Sequence, residues 1–330
     1  MDDNEETGGN TLASIASIIQ IDRRKQIRIA LGSMWKDRLL YIMLIPGILW
    51  FILFKYVPMY GVSIAFRNYN VYEGFSNAPW VGLANFVRLF NYPVFWSVFN
   101  NTIVLSIMKL ICGFPIPIIL SLIINEIRNV YCKKFVQTVV LLPNFISWVV
   151  ISAVMYALFS VNSGAVKSIA DLIGYQGKMT NFLQRRESFR WVLVISDIWK
   201  SAGYSTIVYL GVMTGIDPML YEACEIDGGT WLQKVWHITL PGMRPSIIIL
   251  LIFRLGALLN VGFEQIFVLS NALVQDVAEV LDIYVYKIGM TQRQYTTAMS
   301  ASLFKSLIGM ALVFGANHVA NRIEPDSGIM

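Results

Sequence analysis

The feature of this sequence that most limits its fold is a series of six long, mostly apolar stretches. A helix of about 20 residues crosses the apolar core of a bilayer, and a helix satisfies its own backbone hydrogen bonds in lipid. The six windows are 39–60, 97–123, 135–159, 190–214, 246–270 and 297–321. We therefore expect an all-α integral membrane protein with about six transmembrane helices.

Composition agrees with a lipid-facing surface. Hydrophobic residues make up 56% of the chain, charged residues 14%, and the mean hydropathy is +0.57, values typical of membrane proteins. The net charge is only +5 and the basic residues form no stripe, which argues against nucleic-acid binding. Cys112, Cys132 and Cys224 lack metal-ligand spacing, so we expect three free thiols. No signal peptide is predicted at the N-terminus.

Basic residues next to the first window predict the orientation. Six of them precede it closely, and such residues favour the cytoplasmic side: Arg23, Arg24, Lys25, Arg28, Lys36 and Arg38. An even number of spans then places both termini in the cytoplasm. We predict a cytoplasmic segment 1–38 with room for an interfacial helix, a transmembrane domain 39–322, and a cytoplasmic tail 323–330. Residues 60–96 and 160–187 are expected outside.

The loop between the fourth and fifth windows, residues 215–245, predicts a pair of short cytoplasmic helices. Asp217 followed by Pro218 is typical of a helix N-terminus, and Gly228 with Gly229 predicts its end. Thr230 with Gln233 has the form of a capping box and opens a second helix, which Leu240 and Pro241 are expected to end. Its apolar stripe consists of Trp231, Leu232, Val235 and Trp236. Such a face is buried against a partner or in the membrane interface.

This loop resembles the EAA loop of the permease subunits of bacterial ABC importers. The matching residues are Glu222-Ala223, Asp227-Gly228, Leu240-Pro241 and Pro245, and the departures are Cys224, Gly229 and Val235. The family usually has alanine at the first two of these departures and often phenylalanine at the third. The resemblance implies a coupling helix that binds a cleft of a separate ATPase, and it implies seven docking residues: Glu222, Ala223, Asp227, Gly228, Trp231, Leu240 and Pro241.

A wider resemblance covers about residues 39–322 and points to carbohydrate-uptake permeases, in particular the oligosaccharide and polysaccharide-fragment subgroup. Its residues are Tyr56-Val57-Pro58-Met59-Tyr60-Gly61, Leu141-Leu142-Pro143 and the segment from Asn260 to Ile266. It implies the type I ABC importer permease fold, a second homologous permease, two ATPase subunits and an extracytoplasmic solute-binding protein in the bacterial cell membrane. No cofactor, metal or catalytic residue is expected in this chain. ATP and magnesium would bind the partner ATPase, because the chain has no phosphate-binding loop motif.

Polar and aromatic residues inside the windows are candidates for the substrate pathway. Sugars bind to aromatic faces and hydrogen-bonding side chains, which gives Trp148, Trp199, Tyr204, Asn260 and Gln265. Asp197 and Lys200 are close enough in sequence to share a helix face, and Lys109, Arg254, Glu264 and Lys305 are further ionisable residues. These charges fit either an ion relay or pairs that fix helix packing or line a cavity mouth.

Three other functions remain open from the sequence. A permease of a non-sugar ABC importer would share the same loop. An ion-driven secondary transporter built from inverted repeats would work without ATP. A membrane enzyme would need a catalytic constellation, and neither His237 nor His318 belongs to a recognised metal or catalytic motif.

Overall fold

The structure, a computed structural model, describes residues 37–160, 164–173 and 181–323. Most of the N-terminal segment 1–38 and of the tail 323–330 lies outside these residues, as does the predicted interfacial helix. The chain divides into two compact units, one ending at Ser63 and the other beginning at Ile64. Within the described ranges the regular structure is helical, apart from a β-bridge between Arg67 and Trp80.

The first helix, α1, is one helical run, Arg38–Phe66, and extends beyond the predicted window. It contains a π-helical turn, Ile52–Tyr56, two residues before Pro58. A proline lacks the N–H that would bond to the preceding turn, and a π turn changes the hydrogen-bond register locally. The helix therefore continues past Pro58.

Twelve helices follow in the described part of the second unit. They are α2 (Ala84–Phe90), α3 (Pro93–Asn125), α4 (Val130–Phe145), α5 (Trp148–Leu158), α6 (Ala165–Leu172), α7 (Arg186–Met213), α8 (Pro218–Ile226), α9 (Trp231–Gly256), α10 (Phe263–Leu269), α11 (Gln275–Ala278), α12 (Leu281–Tyr286) and α13 (Tyr295–Ile323).

Four described helices are long and apolar enough to cross a membrane, namely α1, α3, α9 and α13, and a fifth span results if α4 and α5 are counted together. The sequence predicted about six. Helix α7 covers the fourth window with 28 residues, but Asp197 and Lys200 lower its hydropathy. Many of its side chains are buried inside the unit, and protein contacts of this kind are what a polar intramembrane helix requires.

Two predicted spans are broken. The third window, 135–159, is divided between α4 and α5, which meet at 98°; the 3-10 turn Leu142–Phe145 contains Pro143 and ends α4. In the fifth window, α9 ends at Gly256, residues 257–262 are non-helical, and α10 begins after Gly262, whose φ is +90°. Glycine adopts this left-handed conformation without strain. The prediction of a single helix over 246–270 is therefore wrong.

Helix α3 is the centre of the second unit, because it contributes to all three hydrophobic clusters of the described residues. The clusters bury apolar side chains from different helices and so fix α3 against most of the unit. Representative members are Leu105, Leu193 and Ile266 in the first cluster, Phe95, Leu281 and Ala301 in the second, and Ile124, Leu210 and Met243 in the third.

Candidate functional site

The docking loop, residues 215–245, comprises α8 and the first turns of α9, and it begins as the sequence predicted. Asp217 caps α8, and its Oδ1 accepts a hydrogen bond from the N–H of Met219 at 2.9 Å. Helix α8 ends at Ile226, and Gly228 has a φ of +75°. Both features are local signals, an N-cap and a left-handed glycine after a helix, and both predictions are confirmed.

The second helix of the docking loop starts as predicted but does not end there. The N–H of Thr230 donates to Oε1 of Gln233 at 2.6 Å, which confirms this half of the capping box. Leu240 and Pro241 were expected to stop the helix, and this prediction is wrong. A π turn, Val235–Thr239, precedes Pro241 and accommodates its missing N–H. The helix then continues to Gly256.

The docking residues implied by the resemblance lie together on an accessible loop. Six of the seven are exposed and the seventh, Leu240, is half-buried. Apolar side chains beside them are exposed as well, including Ile226 at 87%, Leu232 at 57% and Trp236 at 65%. A cluster of exposed large apolar residues indicates an interaction surface.

The docking loop is held in one shape by contacts between its own residues. The hydroxyl groups of Tyr221 and Thr239 are 3.0 Å apart, and Lys234 forms an ion pair with Glu225. The hydrogen bond and the charge of Lys234 hold the pKa of the Glu225 carboxyl below its ordinary value of 4.5. These contacts join α8 to the first turns of α9, so the two helices move together.

Gly229, one departure of this loop from the family pattern, leaves room for the backbone of the turn. A Cβ added there would lie 2.8 Å from the Cys224 carbonyl oxygen and 2.3 Å from Sγ of Cys224. The contact with the carbonyl oxygen does not depend on the side chain at 224, so the turn itself favours glycine at 229.

A stripe of polar residues on α3 satisfies backbone groups of the broken region between residues 258 and 281. Ser106 donates to the carbonyl of Leu258 at 2.7 Å, and Nζ of Lys109 donates to the carbonyl of Val261 at 2.8 Å. The hydroxyl of Thr102 accepts from the N–H of Leu281 at 2.8 Å. Non-helical backbone at membrane depth is tolerated only where protein or water satisfies it.

Lys109 is the centre of a buried polar network. Its Nζ donates to Oε1 of Gln265 at 2.6 Å and lies 3.3 Å from Oδ1 of Asp197. The amide nitrogen of Gln265 donates to the carbonyl of Leu193 at 2.7 Å and to Oγ of Ser196 at 2.8 Å. The lysine charge is thus paired and hydrogen-bonded, as a buried charge must be.

Asp197 and Lys200 do not pair with each other, although they are three residues apart. Asp197 faces Lys109 and, at 3.8 Å, Arg254. Lys200 donates to the carbonyl of Asn144 at 3.0 Å and also to that of Ile146, so it satisfies the break between α4 and α5. Lys109 therefore stabilises the break in the fifth window, and Lys200 stabilises the break between α4 and α5.

Three cavities of the second unit adjoin one another through shared lining residues. The Tyr204 cavity, of about 340 Å³, and the Asn260 cavity, of about 610 Å³, are both lined by Phe253 and Ala257. The Tyr286 cavity, of about 430 Å³, meets the Asn260 cavity at Asp282 and Ser302. We call these three cavities together the groove.

The five predicted pathway residues do not share one site. Tyr204 and Asn260 line the groove, in the two cavities named after them. Trp199 lines a separate apolar recess, and the ring centre of Trp148 lies 5.6 Å from Nζ of Lys200. Gln265 is fully buried. A sugar could reach it only if the hydrogen bonds of the network were broken.

Several groove residues were missed by sequence reasoning. Asp282 and Tyr286 lie outside all six windows, and Ser302 and Ser306 are ordinary small residues of a span. Only the packing of α12 against α13 brings them to the groove. The one local signal was Lys305, an ionisable residue inside an apolar window, and its partner is Asp282.

Comparison with known proteins decides the family. Residues 113–326 match the family described as binding-protein-dependent transport system inner membrane component. The chain belongs to this family. It is a multi-pass membrane protein and a transport subunit, which confirms the resemblance predicted from the docking loop.

Two Bacillus subtilis (strain 168) proteins and two solved structures are similar over most of their lengths. The polygalacturonan/rhamnogalacturonan transport system permease protein YteP is 41% identical, covering 93% of this chain and 94% of its own. Protein LplB is 39% identical, covering 90% and 92%.

The first solved structure is a bacterial ABC transporter involved in the import of the acidic polysaccharide alginate. It is 38% identical with a TM-score of 0.81 and covers 89% of this chain and 98% of that one. The second is a bacterial alginate ABC transporter in complex with an alginate pentasaccharide-bound periplasmic protein. It is 38% identical with a TM-score of 0.80 and covers 88% and 97%. The fold is therefore that of an ABC importer permease.

Proposed function

We propose that this chain forms part of the translocation pathway of an ATP-driven importer that carries an oligosaccharide across the bacterial cytoplasmic membrane. Both termini face the cytoplasm in this proposal, because the basic residues before α1 favour that side. The docking loop then lies in the cytoplasm, where an ATPase can bind it.

The observation that carries this proposal is the exposed surface of the docking loop. Its two helices are capped and joined to each other, yet large side chains such as Ile226 and Trp236 are left exposed. A rigid loop with an uncovered apolar surface fits a preformed cleft on a partner protein. Glu222 adds an exposed carboxylate for a basic partner.

Helix α9 offers a mechanical route from the docking loop to the groove. It runs for 26 residues from Trp231 to Gly256 without interruption, about 39 Å at the rise of an α-helix. At its far end the irregular segment 257–262 lines the Asn260 cavity. In our proposal ATP-driven closure of the ATPase moves Trp231, and the same helix moves Asn260.

The remaining parts of the transporter come from other chains in this proposal. A second homologous permease completes the pathway, two ATPase subunits bind ATP and Mg²⁺, and an extracytoplasmic solute-binding protein delivers the sugar. No covalent step occurs in this chain. The similar structure that contains a sugar-bound periplasmic protein supports the last of these partners.

The relatives support a carbohydrate as the substrate. Their names refer to polygalacturonan, rhamnogalacturonan and alginate. The groove offers the aromatic ring of Tyr204 and the hydroxyl groups of Ser201 and Ser205, side chains that suit sugar rings and their hydroxyls.

A pair of glycine variants tests the docking proposal. Gly228 and Gly74 both have a φ of +75°, and both have open space where a Cβ would lie, so a tryptophan strains both backbones alike. The chain would be co-expressed with the neighbouring permease and ATPase genes. We expect Gly228→Trp to abolish transport-linked ATP hydrolysis while the protein stays in the membrane, and Gly74→Trp to leave the coupling intact.

Two outcomes would contradict the proposal. Unchanged ATP hydrolysis in Gly228→Trp would remove the docking role. Uptake that continues without ATP but stops with the ion gradient would favour a secondary transporter. Uptake by reconstituted vesicles of labelled oligosaccharides from polygalacturonan, rhamnogalacturonan and alginate, with a labelled amino acid as control, tests the substrate class separately.

A further inference from the structure

Two cavities of the groove, the Asn260 cavity and the Tyr286 cavity, follow one face of α13. Their lining residues Tyr295, Met299, Ser302, Ser306 and Gly309 recur every three or four positions, which is the spacing of one helix face. Lining residues extend from Tyr295 to Val313, a distance of about 27 Å along the helix axis. This length is close to the roughly 30 Å of a bilayer core, so the groove is long enough to guide a solute across it.

An ion pair stands about halfway along this face. Lys305 is ten residues from Tyr295, about 15 Å along the axis, and its ammonium group pairs with the carboxylate of Asp282 on α12. Asp282 lines both the Asn260 cavity and the Tyr286 cavity, and Lys305 lines the first of these. The pair therefore lies where the two cavities meet.

The two cavities differ in chemistry. The Tyr286 cavity is lined by the rings of Phe263, Tyr286 and Tyr295, and the ring centres of the first two are 5.3 Å apart. The Asn260 cavity is lined by an amide and by serine hydroxyl groups along with apolar residues. Aromatic faces suit the C–H faces of sugar rings, whereas amide and hydroxyl groups suit their oxygen atoms.

The pair is held in place by packing. Leu281 and Tyr284 of α12 are buried against Ala298 and Ala301 of α13, so the backbones that carry Asp282 and Lys305 are fixed. The side chains themselves are only 23% and 15% exposed. Separating two charges in such surroundings without replacing their contacts is unfavourable, so the closed pair is the resting arrangement.

We propose that the Asp282–Lys305 ion pair is a gate in the sugar pathway, and that a carbohydrate passes because its hydroxyl groups replace the contacts of the pair. This inference rests on the proposed function. A hydroxyl group can donate to the Asp282 carboxylate while another accepts from the Lys305 ammonium group. A solute without hydrogen-bonding groups leaves both charges unpaired. The pair therefore contributes selectivity as well as closure.

Thiol labelling of the assembled transporter tests the gate directly. The three native cysteines, all free thiols, would first be replaced by serine. Met299→Cys then reports on the Tyr286 cavity and Ser306→Cys on the Asn260 cavity, each exposed to a membrane-impermeant thiol reagent from the extracytoplasmic side of sealed vesicles. In the resting transporter we expect Met299→Cys to react and Ser306→Cys to be protected.

Neutralising the pair should remove this protection. In the D282N/K305M background we expect Ser306→Cys to react about ten-fold faster, the effect of lowering a barrier by ~1.4 kcal/mol. The charge-swapped D282K/K305D background restores an ion pair and should restore the slow reaction. If D282N/K305M fails to assemble with the ATPase, D282N/K305Q, which keeps hydrogen-bonding groups, replaces it.

Either neutral background with an unchanged reaction at Ser306→Cys would overturn the gate. A rate at Ser306→Cys that already equals that at Met299→Cys in the resting transporter would also overturn it. Uptake by the cysteine-free parent keeps this result separate from the proposed function. ATP-driven sugar uptake with unchanged labelling rejects the gate alone, whereas absent sugar uptake with gated labelling rejects the proposed substrate alone.

Discussion

The docking loop and the Lys109 network differ in how their side chains match their surroundings. The docking loop exposes apolar residues, such as Ile226 and Trp236. The network buries polar ones, Lys109 and Gln265, inside the helical unit. The network finds its partners within the chain, and the docking loop leaves its apolar surface uncovered. This difference indicates that the network stabilises the fold, and it agrees with the docking role that we propose for the loop.

The largest expected effect comes from removing the centre of the network. Lys109→Met leaves the Val261 carbonyl and Gln265 without the lysine, and Asp197 keeps only Arg254 at 3.8 Å. Removing one partner of a buried ion pair destabilises by about 3–5 kcal/mol. We expect a clear fall in the thermal unfolding temperature of the detergent-solubilised transporter.

An exposed lysine provides the control for that measurement. Lys167 pairs with Asp171 at 2.8 Å on the surface of α6, and such pairs contribute less than about 1 kcal/mol. Lys167→Met should therefore leave the unfolding temperature nearly unchanged. Equal losses in the two variants would mean that burial of Lys109 has no special role, and the contrast between network and surface would fail.

A second pair of variants separates the network from the groove. Gln265→Leu removes three buried hydrogen bonds of the network and should lower stability by about 2 kcal/mol, because interhelical hydrogen bonds in membranes average about 0.6 kcal/mol each. Tyr204→Ala removes an exposed side chain and should change the KM for sugar uptake with little change in stability. Unfolding temperature and uptake kinetics would be measured for both.

The reverse pattern would correct our assignment of these two residues. If Gln265→Leu unfolds like the unmodified protein but takes up sugar poorly, Gln265 contacts the substrate in another conformation. If Tyr204→Ala changes stability alone, the Tyr204 cavity is not part of the pathway. The first result would assign Gln265 to the substrate pathway, and the second would assign Tyr204 to the fold.

The same contrast explains which features could be predicted from the sequence. The docking loop follows local rules, since Asp217 caps the helix two residues before Met219 and Thr230 contacts Gln233 three residues on. The broken spans depend on contacts between residues that are far apart in the sequence. Lys109 and Val261, which are hydrogen-bonded, are 152 positions apart. The sequence marked Lys109 as unusual, but only the folded chain reveals which backbone it satisfies.

Helix α9 shows a second feature that could not be predicted from the sequence, namely a helix that continues past a proline. Pro241 was interpreted as a helix end because proline removes a backbone donor. The π turn Val235–Thr239 and a similar turn before Pro58 accommodate the proline instead. Both turns end two residues before the proline, and the rule that proline stops a helix does not distinguish such a turn from a true helix end. In α9 the consequence is a single helix that joins the docking loop to the groove.

The smallest expected effect concerns an exposed pair within the docking loop. Lys234 holds the pKa of Glu225 below its ordinary value of 4.5. A carboxyl whose pKa is lower in the folded loop stabilises the fold above its unfolded pKa, and this contribution is lost as the pH falls through the folded pKa. We expect hydrogen-exchange protection of α8, corrected for intrinsic rates, to fall only when the pH is below 4.5. The variant Glu225→Gln should lack this step, and an identical step in the variant would assign the acid sensitivity to another group.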